Sequence, residues 1–447
     1  MQIKAYKVRK KYGRVSQKKH FFALYVVFSL LLTACGSVNL LPPQVEIFPS
    51  PVAYVPIVTP PVIKSTITPT AIIITPTPSL PTPVAKKMPQ DTSATIGLWA
   101  KDVSTPQLIS ATLDVGVGDS AISLQNNNAQ AVSLAYQAVH IGFESDISGT
   151  IATKPNLVLF DKDKKVALSS DTRQPLINIR DTEVRVMLSN QAAERVQRAS
   201  HDGILLDGVG QDLIRATTAP IFTTTKEFTE QQRRDAVEGM LRAVKAKLPP
   251  TKLMIIGGYA WKDGSAYSAR QDEARALAEI GDGIYVSDFL RVPISKTTDF
   301  RSEANWRKDI DMLASTSFGD KIVMLRTAFL DPTNPVDDTQ MRQWLMYTVS
   351  SYLLGKNGKQ TYLYFDVNGR TDIWRDSVFT IPLGTPLKAY ETLKSGIFMR
   401  SFSNGVVLVN ASNETKKADL DREYRTQSGV LTKSISMTAN TGIILLK

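Results

Sequence analysis

Residues 201–209, HDGILLDGV, hold a run of apolar side chains too short for a helix and closed on both sides by Asp and Gly. A short continuous apolar run of this kind suits a strand buried on both faces of a parallel sheet. It leaves Asp207 at the carboxyl end of that strand. Similar runs recur at 96–100 (IGLWA), 136–143 (YQAVHIGF), 156–160 (NLVLF), 252–256 (KLMII), 283–286 (GIYV), 321–325 (KIVML) and 361–365 (TYLYF).

Helices are signposted between the runs. Asp181 caps a segment in which Val184, Leu188, Ala192 and Val196 repeat every fourth residue. Thr229 and Gln232 make a capping-box pair ahead of Ala236, Val237, Met240, Leu241 and Val244, and Pro249-Pro250 stops that helix. A third, more apolar helix covers 343–354. Eight strands with helices between them over about 300 residues predict an α/β fold, a (β/α)8 TIM-type barrel. An open doubly wound sheet is the alternative. No glycine-rich phosphate loop follows 96–100, and Gly116 and Gly118 in DVGVGDS read as a turn. The polar stretch 102–130 reads as a large first loop.

The last 55 residues change character. Runs at 396–402, 405–411, 417–424, 429–437 and 442–447 are bounded by Asn, Ser and Gly, with Asn404-Gly405 as a hairpin signal. They predict a small C-terminal antiparallel β-sandwich module.

The amino-terminal part is different again. Lys4, Lys7, Arg9, Lys10, Lys11, Arg14, Lys18 and Lys19 precede the apolar run 21–32, FFALYVVFSLLL. That length suits a secretory signal and is short for a membrane span. The run ends in Leu32-Thr33-Ala34-Cys35-Gly36, which resembles the lipobox of bacterial lipoproteins. The resemblance implies cleavage before Cys35, a diacylglycerol on its thiol and an extracytoplasmic chain held at the cell membrane. A signal anchor with an incidental cysteine is the alternative. Between 42 and 89 lie 13 of the 24 prolines, interleaved with Thr, Val and Ile, the composition of an extended or disordered stalk. The expected organisation is therefore a signal peptide at 1–35, a Pro/Thr-rich stalk at 36–91, the barrel at 92–392 and the β module at 393–447.

Charge and composition narrow the function. The net charge of +11 comes mostly from residues 1–35, and the remainder carries 45 Lys and Arg against 42 Asp and Glu. A nucleic-acid partner is not expected. A single cysteine excludes a disulfide framework and Cys-ligated metal, and three histidines leave little for metal chemistry. No cofactor and no metal are expected, and the chain is read as a monomer.

The working residues of a (β/α)8 barrel lie at the carboxyl ends of its strands. Here those ends supply Lys101, Asp102, Glu144, Asp146, Asp161, Asp207, Ser287, Asp288, Arg326 and Asp366. A rim rich in carboxylates and poor in histidine suits glycosidic bond cleavage, which uses one carboxyl as acid and another as base or nucleophile. It does not suit a Ser-His-Asp triad, and no G-x-S-x-G elbow occurs. Trp99, Tyr259, Trp261, Phe289 and Trp374 are candidates to stack on sugar rings, or to pack in the core. Arg326 is a candidate to bind an anionic sugar, or to pair with a rim carboxylate.

HDGILLDGV resembles the (Y/F)DGhhhDxh strand of barrel glycoside hydrolases, including hypothetical glycoside hydrolase family 15. Further likenesses are NLVLFDKD at 156–163, INIR at 177–180, DGIYVS at 282–287 and RSFSNGVVLVN at 400–410. The resemblance implies a lumenal carboxylate at Asp207, with Asp202-Gly203 as a tight lead-in to the strand. Two positions depart from the family pattern. Its sixth strand usually ends in Glu, where this chain has Ser287 followed by Asp288. Its fifth often ends in Asn, where Gly257-Gly258 stand here. Asp288 and Asp366 are the candidate partners of Asp207, and Trp99, Asp161, Tyr259, Trp261 and Arg326 the candidate substrate contacts. The function expected is a lipid-anchored extracellular glycoside hydrolase acting on a polysaccharide or oligosaccharide. The alternative is a non-catalytic glycan-binding surface lipoprotein on a degenerate barrel.

Overall fold

The computed structural model describes residues 96–101, 113–126, 128–139, 153–168, 174–209, 222–223, 226–227, 229–257, 276, 278–291, 299–315, 321–330, 337–357, 360–367, 370, 373 and 376–447. Cys35, the basic segment before it and the proline-rich stretch lie outside them.

The described residues form a closed barrel of eight parallel strands: β1 (Gly97–Lys101), β2 (Val115–Val117), β3 (Val132–Ala138), β4 (Gly203–Asp207), β5 (Leu253–Gly257), β6 (Gly283–Val286), β7 (Ile322–Phe329) and β8 (Thr361–Val367). Gly97 and Leu98 of β1 close the ring against Tyr362 and Leu363 of β8. Four α-helices are described: α1 (Thr182–Arg198), α2 (Glu230–Lys247), α3 (Glu303–Ala314) and α4 (Asp338–Gly355). α1 starts where Asp181 accepts a bond from the Glu183 amide, and it buries Val184, Leu188, Ala192 and Val196. α2 carries the full capping box, with Thr229 and Gln232 bonding each other's amides. Each helix thus begins on a side-chain acceptor for an otherwise orphan amide and turns its apolar stripe to the barrel.

The expected strand at 136–143 is observed as Val132–Ala138, four residues earlier, and two other strands change place. NLVLF at 156–160 is not a barrel strand. It makes isolated bridges, Val158 with Ile177 and Phe160 with Val166 and Phe222, in the connection between β3 and α1. The second barrel strand is instead Val115–Val117, inside the stretch read as a loop and turn. A three-residue strand with glycine at its centre gives almost no periodic signal. The glycine is nevertheless required: a Cβ on Gly116 would lie 2.3 Å from Leu124 Cδ1 in the 3-10 helix that follows.

The amino-terminal end of the barrel is tied by a repeated device. Asp114, Asp202 and Asp282 each stand immediately before an even-numbered strand. Each accepts the amide of the preceding strand, from Leu98 (2.9 Å), Ser133 (2.9 Å) and Met254 (2.8 Å). The glycines after Asp202 and Asp282 leave room for close strand approach, since a Cβ at Gly203 or Gly283 would lie 2.3 Å from the carbonyl oxygen of Leu253 or Ile322. The Asp-Gly that opens HDGILLDGV is therefore a barrel-closing element, at the end opposite Asp207.

The C-terminal module is a six-stranded antiparallel sheet in the order β13-β12-β14-β11-β10-β9. Its strands are β9 (Glu391–Thr392), β10 (Phe398–Phe402), β11 (Gly405–Asn410), β12 (Lys416–Arg425), β13 (Leu431–Met437) and β14 (Thr441–Leu446). It takes in Glu391 and Thr392, just ahead of the expected start at 393, because these pair with Met399 and Phe398. Val407 and Val409 of β11 join the barrel core, while Val406 and Leu408 pack with Ala418, Leu420, Tyr424 and Met437 in a second, separate core. Alternate residues of one strand thus serve two layers.

Candidate active site

Strand alternation and a few long-reaching side chains define the lumen. Trp99 of β1 meets Tyr285 of β6 edge-on (5.2 Å between ring centroids) and Tyr364 of β8 (5.0 Å). β1 and β6 are not neighbours in the ring, so their contact crosses the interior. On the same grounds Lys101 of β1, whose ammonium lies 3.5 Å from the centroid of the Tyr136 ring on β3, faces inward.

Asp207 lies at the carboxyl end of β4, half-buried. Its Oδ2 accepts from the Tyr136 hydroxyl (2.9 Å), and its Oδ1 from the amide of Gly208 (2.8 Å). Gly257 closes β5 beside it. A Cβ there would come within 2.6 Å of Tyr285 Cδ1 and 3.2 Å of Asp207 Oδ1, so this glycine lets ring and carboxylate share that stretch of wall.

Arg326, within β7, and Asp366, one residue before the end of β8, form a close ion pair. Nε of Arg326 donates to Asp366 Oδ2 at 3.1 Å, and Nη2 donates to the same oxygen. Arg326 is also close enough to Tyr285 for its charge to act on the phenol. Burial works against the Arg326 cation, but Tyr285, Asp366 and Tyr364 outweigh it and hold the guanidinium above its usual range. Burial, followed by the nearby charge of Asp207, raises the Tyr285 phenol. The described mouth of the barrel thus carries two arms. One is Lys101–Tyr136–Asp207 on β1, β3 and β4. The other is Tyr285–Arg326–Asp366 on β6, β7 and β8.

The remaining sequence candidates fall elsewhere. Asp288 does not join Asp207. β6 ends at Val286, and the next turn sends the Asp288 carboxylate out of the lumen to Arg301 (2.7 Å), where it is 3% exposed. Ser287 follows the last residue of β6 and opens the turn that leads to Asp288. Asp161 is not on the rim either. Its Oδ1 accepts the amides of Asp163 and Lys165 and closes an exposed hairpin turn outside the barrel. Trp99, 1% exposed, has ring contacts with Tyr285 and Tyr364, and its Nε1 donates to the Leu325 carbonyl (2.8 Å), so it is a packing residue rather than a stacking platform. Phe289 is fully buried, which excludes stacking there too. Asp102, Glu144, Asp146, Tyr259, Trp261 and Trp374 lie outside the described residues.

Tyr136, Tyr285 and Tyr364 were not singled out from the sequence. Each stands one to three residues before the end of its strand, inside an apolar run. Among the described residues no group of three or more His, Cys, Asp or Glu side chains is placed to hold a metal ion.

Behind β6, Arg301 bridges Asp288 and Asp309 of α3, its Nε lying 3.1 Å from Asp309 Oδ2. Burial, reinforced by Asp288, pushes the Asp309 carboxyl up to about 7, against the pull of Arg301 and the Leu290 amide. A carboxyl whose pKa is higher folded than unfolded binds its proton more tightly in the native state. Its contribution is full below about pH 4 and is lost as pH rises to about 7. The Asp309→Asn variant is accordingly expected to hold its melting temperature across this window, ending roughly 5 °C above wild type at pH 8 relative to their difference at pH 4. Parallel slopes in thermal melts would contradict this.

The sequence model of hypothetical glycosyl hydrolase family 15 matches residues 144–406. The chain belongs to this family. Its family-15 segment runs from the connection after β3 to the start of β11 and includes Asp207, Arg326 and Asp366. Among solved structures, the chain is similar to the glycoside hydrolase domain of PelA from Pseudomonas aeruginosa, with 12% identity, 62% of this chain and 95% of that one covered, and a TM-score of 0.40. It is also similar to the maltogenic α-amylase AmyB from Thermotoga neapolitana, with 10% identity, 79% and 98% coverage and a TM-score of 0.42. A dextranase from Flavobacterium johnsoniae gives 11% identity, 81% and 52% coverage and a TM-score of 0.44. No curated protein matches the chain.

Proposed function

We propose that this family-15 chain is a glycoside hydrolase that cleaves a polysaccharide by carboxylate chemistry, with Asp207 as the central group and Asp366 as its partner across the mouth. The observation that carries this reading is the placement of Asp207 at the lumenal end of β4, gripped by Tyr136 on one oxygen and the Gly208 amide on the other. A carboxylate fixed at the carboxyl end of a barrel strand stands where a bound sugar chain would cross. Asp366 shares the lumen, and Arg326 sets its orientation.

The test is incubation of the detergent-solubilised full chain with peptidoglycan, chitin, xylan, starch and dextran, reading new reducing ends. Release from any of them supports hydrolysis. A second reading, glycan binding without cleavage, is favoured by Ser287 at the sixth-strand end and by the pairing of Asp366 with Arg326. Retention of the chain on an immobilised glycan with no release would support it.

In this reading the enzyme works outside the cytoplasm, lipidated on Cys35 and raised on the proline-rich stretch. No helix among the described residues is long and apolar enough to cross a membrane. The support for the anchor is the motif LTACG after a cationic and apolar leader. The Cys35→Ser variant is expected to lose incorporation of labelled palmitate in a bacterial host. Undiminished labelling would contradict the anchor.

A further inference from the structure

We propose that Tyr136 is a positioning residue for Asp207, holding its carboxylate in the orientation that the reaction needs; this rests on the hydrolase reading above. Tyr136 and Asp207 are not register partners. In the pairing of β3 with β4, Tyr136 lies opposite Leu205, and it is Ala138 that lies opposite Asp207. The small side chain of Ala138 leaves the space beside the carboxylate free. The Tyr136 ring rises through it from one layer below, bringing its hydroxyl to Oδ2 at 2.9 Å.

The ring is itself held. The ammonium of Lys101 reaches across β2 to stand 3.5 Å from its centroid. A cation over an aromatic face is attracted by the ring quadrupole, and this fixes the plane from which the hydroxyl projects. The backbone amide of Gly208 then fixes the other oxygen at 2.8 Å. Two donors on two oxygens leave the carboxylate one orientation about its last torsion. The second donor is main chain and beyond the reach of substitution, so the adjustable half of the grip is the tyrosine. Hydrogen bonds to charged groups are stronger than neutral ones, and misplacing a reacting group lowers turnover more than binding.

The experiment compares the full chain as wild type, Tyr136→Phe, Asp207→Asn and the double variant on whichever of the five polysaccharides wild type cleaves fastest. Phenylalanine keeps the ring and its contact with Lys101, so the melting temperature is expected to stay within about 2 °C of wild type. The expected result is a fall in kcat of ~10–100-fold with KM within about twofold. Tyr136→Phe added to Asp207→Asn is expected to cost less than about twofold more, because the group it positions is already gone. A Tyr136→Phe enzyme with wild-type kcat beside an inactive Asp207→Asn would overturn this proposal alone. So would a loss that is undiminished in the Asp207→Asn background, or one that falls on KM. Wild type inert on all five polysaccharides would overturn the hydrolase reading and this proposal together.

Discussion

Asp207→Asn is expected to lower the release of reducing ends by ~100- to 10,000-fold, the range associated with positioned acid, base and nucleophilic groups. Asparagine is nearly isosteric, and its amide oxygen still accepts one of the two donors on this side chain, the Tyr136 hydroxyl and the Gly208 amide. The variant should therefore fold and bind glycan while losing the chemistry. Asp366→Asn is the natural companion, but its interpretation differs. It removes one charge of a buried pair and leaves Arg326 facing Tyr285 without its counter-ion, which combines a cost in stability with any cost in turnover. Asp207 has no such ion pair among its hydrogen bonds. Unchanged activity in Asp207→Asn would remove Asp207 from the chemistry.

The second large effect concerns the family motif at 400–410. Arg400→Ala is expected to destabilise the protein by about 3 kcal/mol or more. Arg400 is 8% exposed, and its Nη1 donates to the carbonyls of Leu353 (2.9 Å), Leu354 (3.1 Å) and Lys356 (2.7 Å) at the carboxyl end of α4. Its Nε donates to the Lys388 carbonyl (3.0 Å). The first three are orphan acceptors of the kind every helix leaves at its end, here enclosed against the C-terminal sheet. A cation is also favoured by the negative end of the helix dipole. Alanine would leave four carbonyls without this donor at once. The check is a melting curve together with protease sensitivity between 380 and 400, both of which should rise in susceptibility. A melt unchanged within about 1 °C would show the motif to be dispensable for the fold.

The sequence exposed much of this and hid the rest for physical reasons. The helices were legible where a cap and an apolar stripe coincide, as at Asp181 and at Thr229 with Gln232. Strands buried on both faces were legible where four or five apolar residues run together, as in 203–206. Val115–Val117 was not, because three residues around a glycine carry no period, and NLVLF was misplaced because an apolar run does not reveal which sheet it joins. For the site, Asp207 and Asp366 were visible as strand-end acids. Asp288 does not reach the lumen because it lies two residues beyond the end of β6, in a turn that carries its carboxylate to Arg301. Trp99 stays open between stacking and packing in sequence, because an aromatic on an inward register serves core and ligand equally, and its burial places it with the core. The tyrosines that hold the site were missed because they sit one layer below the ends, inside runs that read simply as apolar strand. HDGILLDGV itself carries both messages, with Asp202 tying the floor of the barrel and Asp207 facing its mouth.

The most direct test is a crystal structure of the Asp207→Asn chain with an oligosaccharide of the glycan it retains. A glycosidic linkage is expected at the carboxyl ends of β4 and β8, with residue 207 in contact with the sugar at the bond to be broken. Sugar bound on the C-terminal sheet or the outer helices, with the barrel mouth vacant, would contradict it.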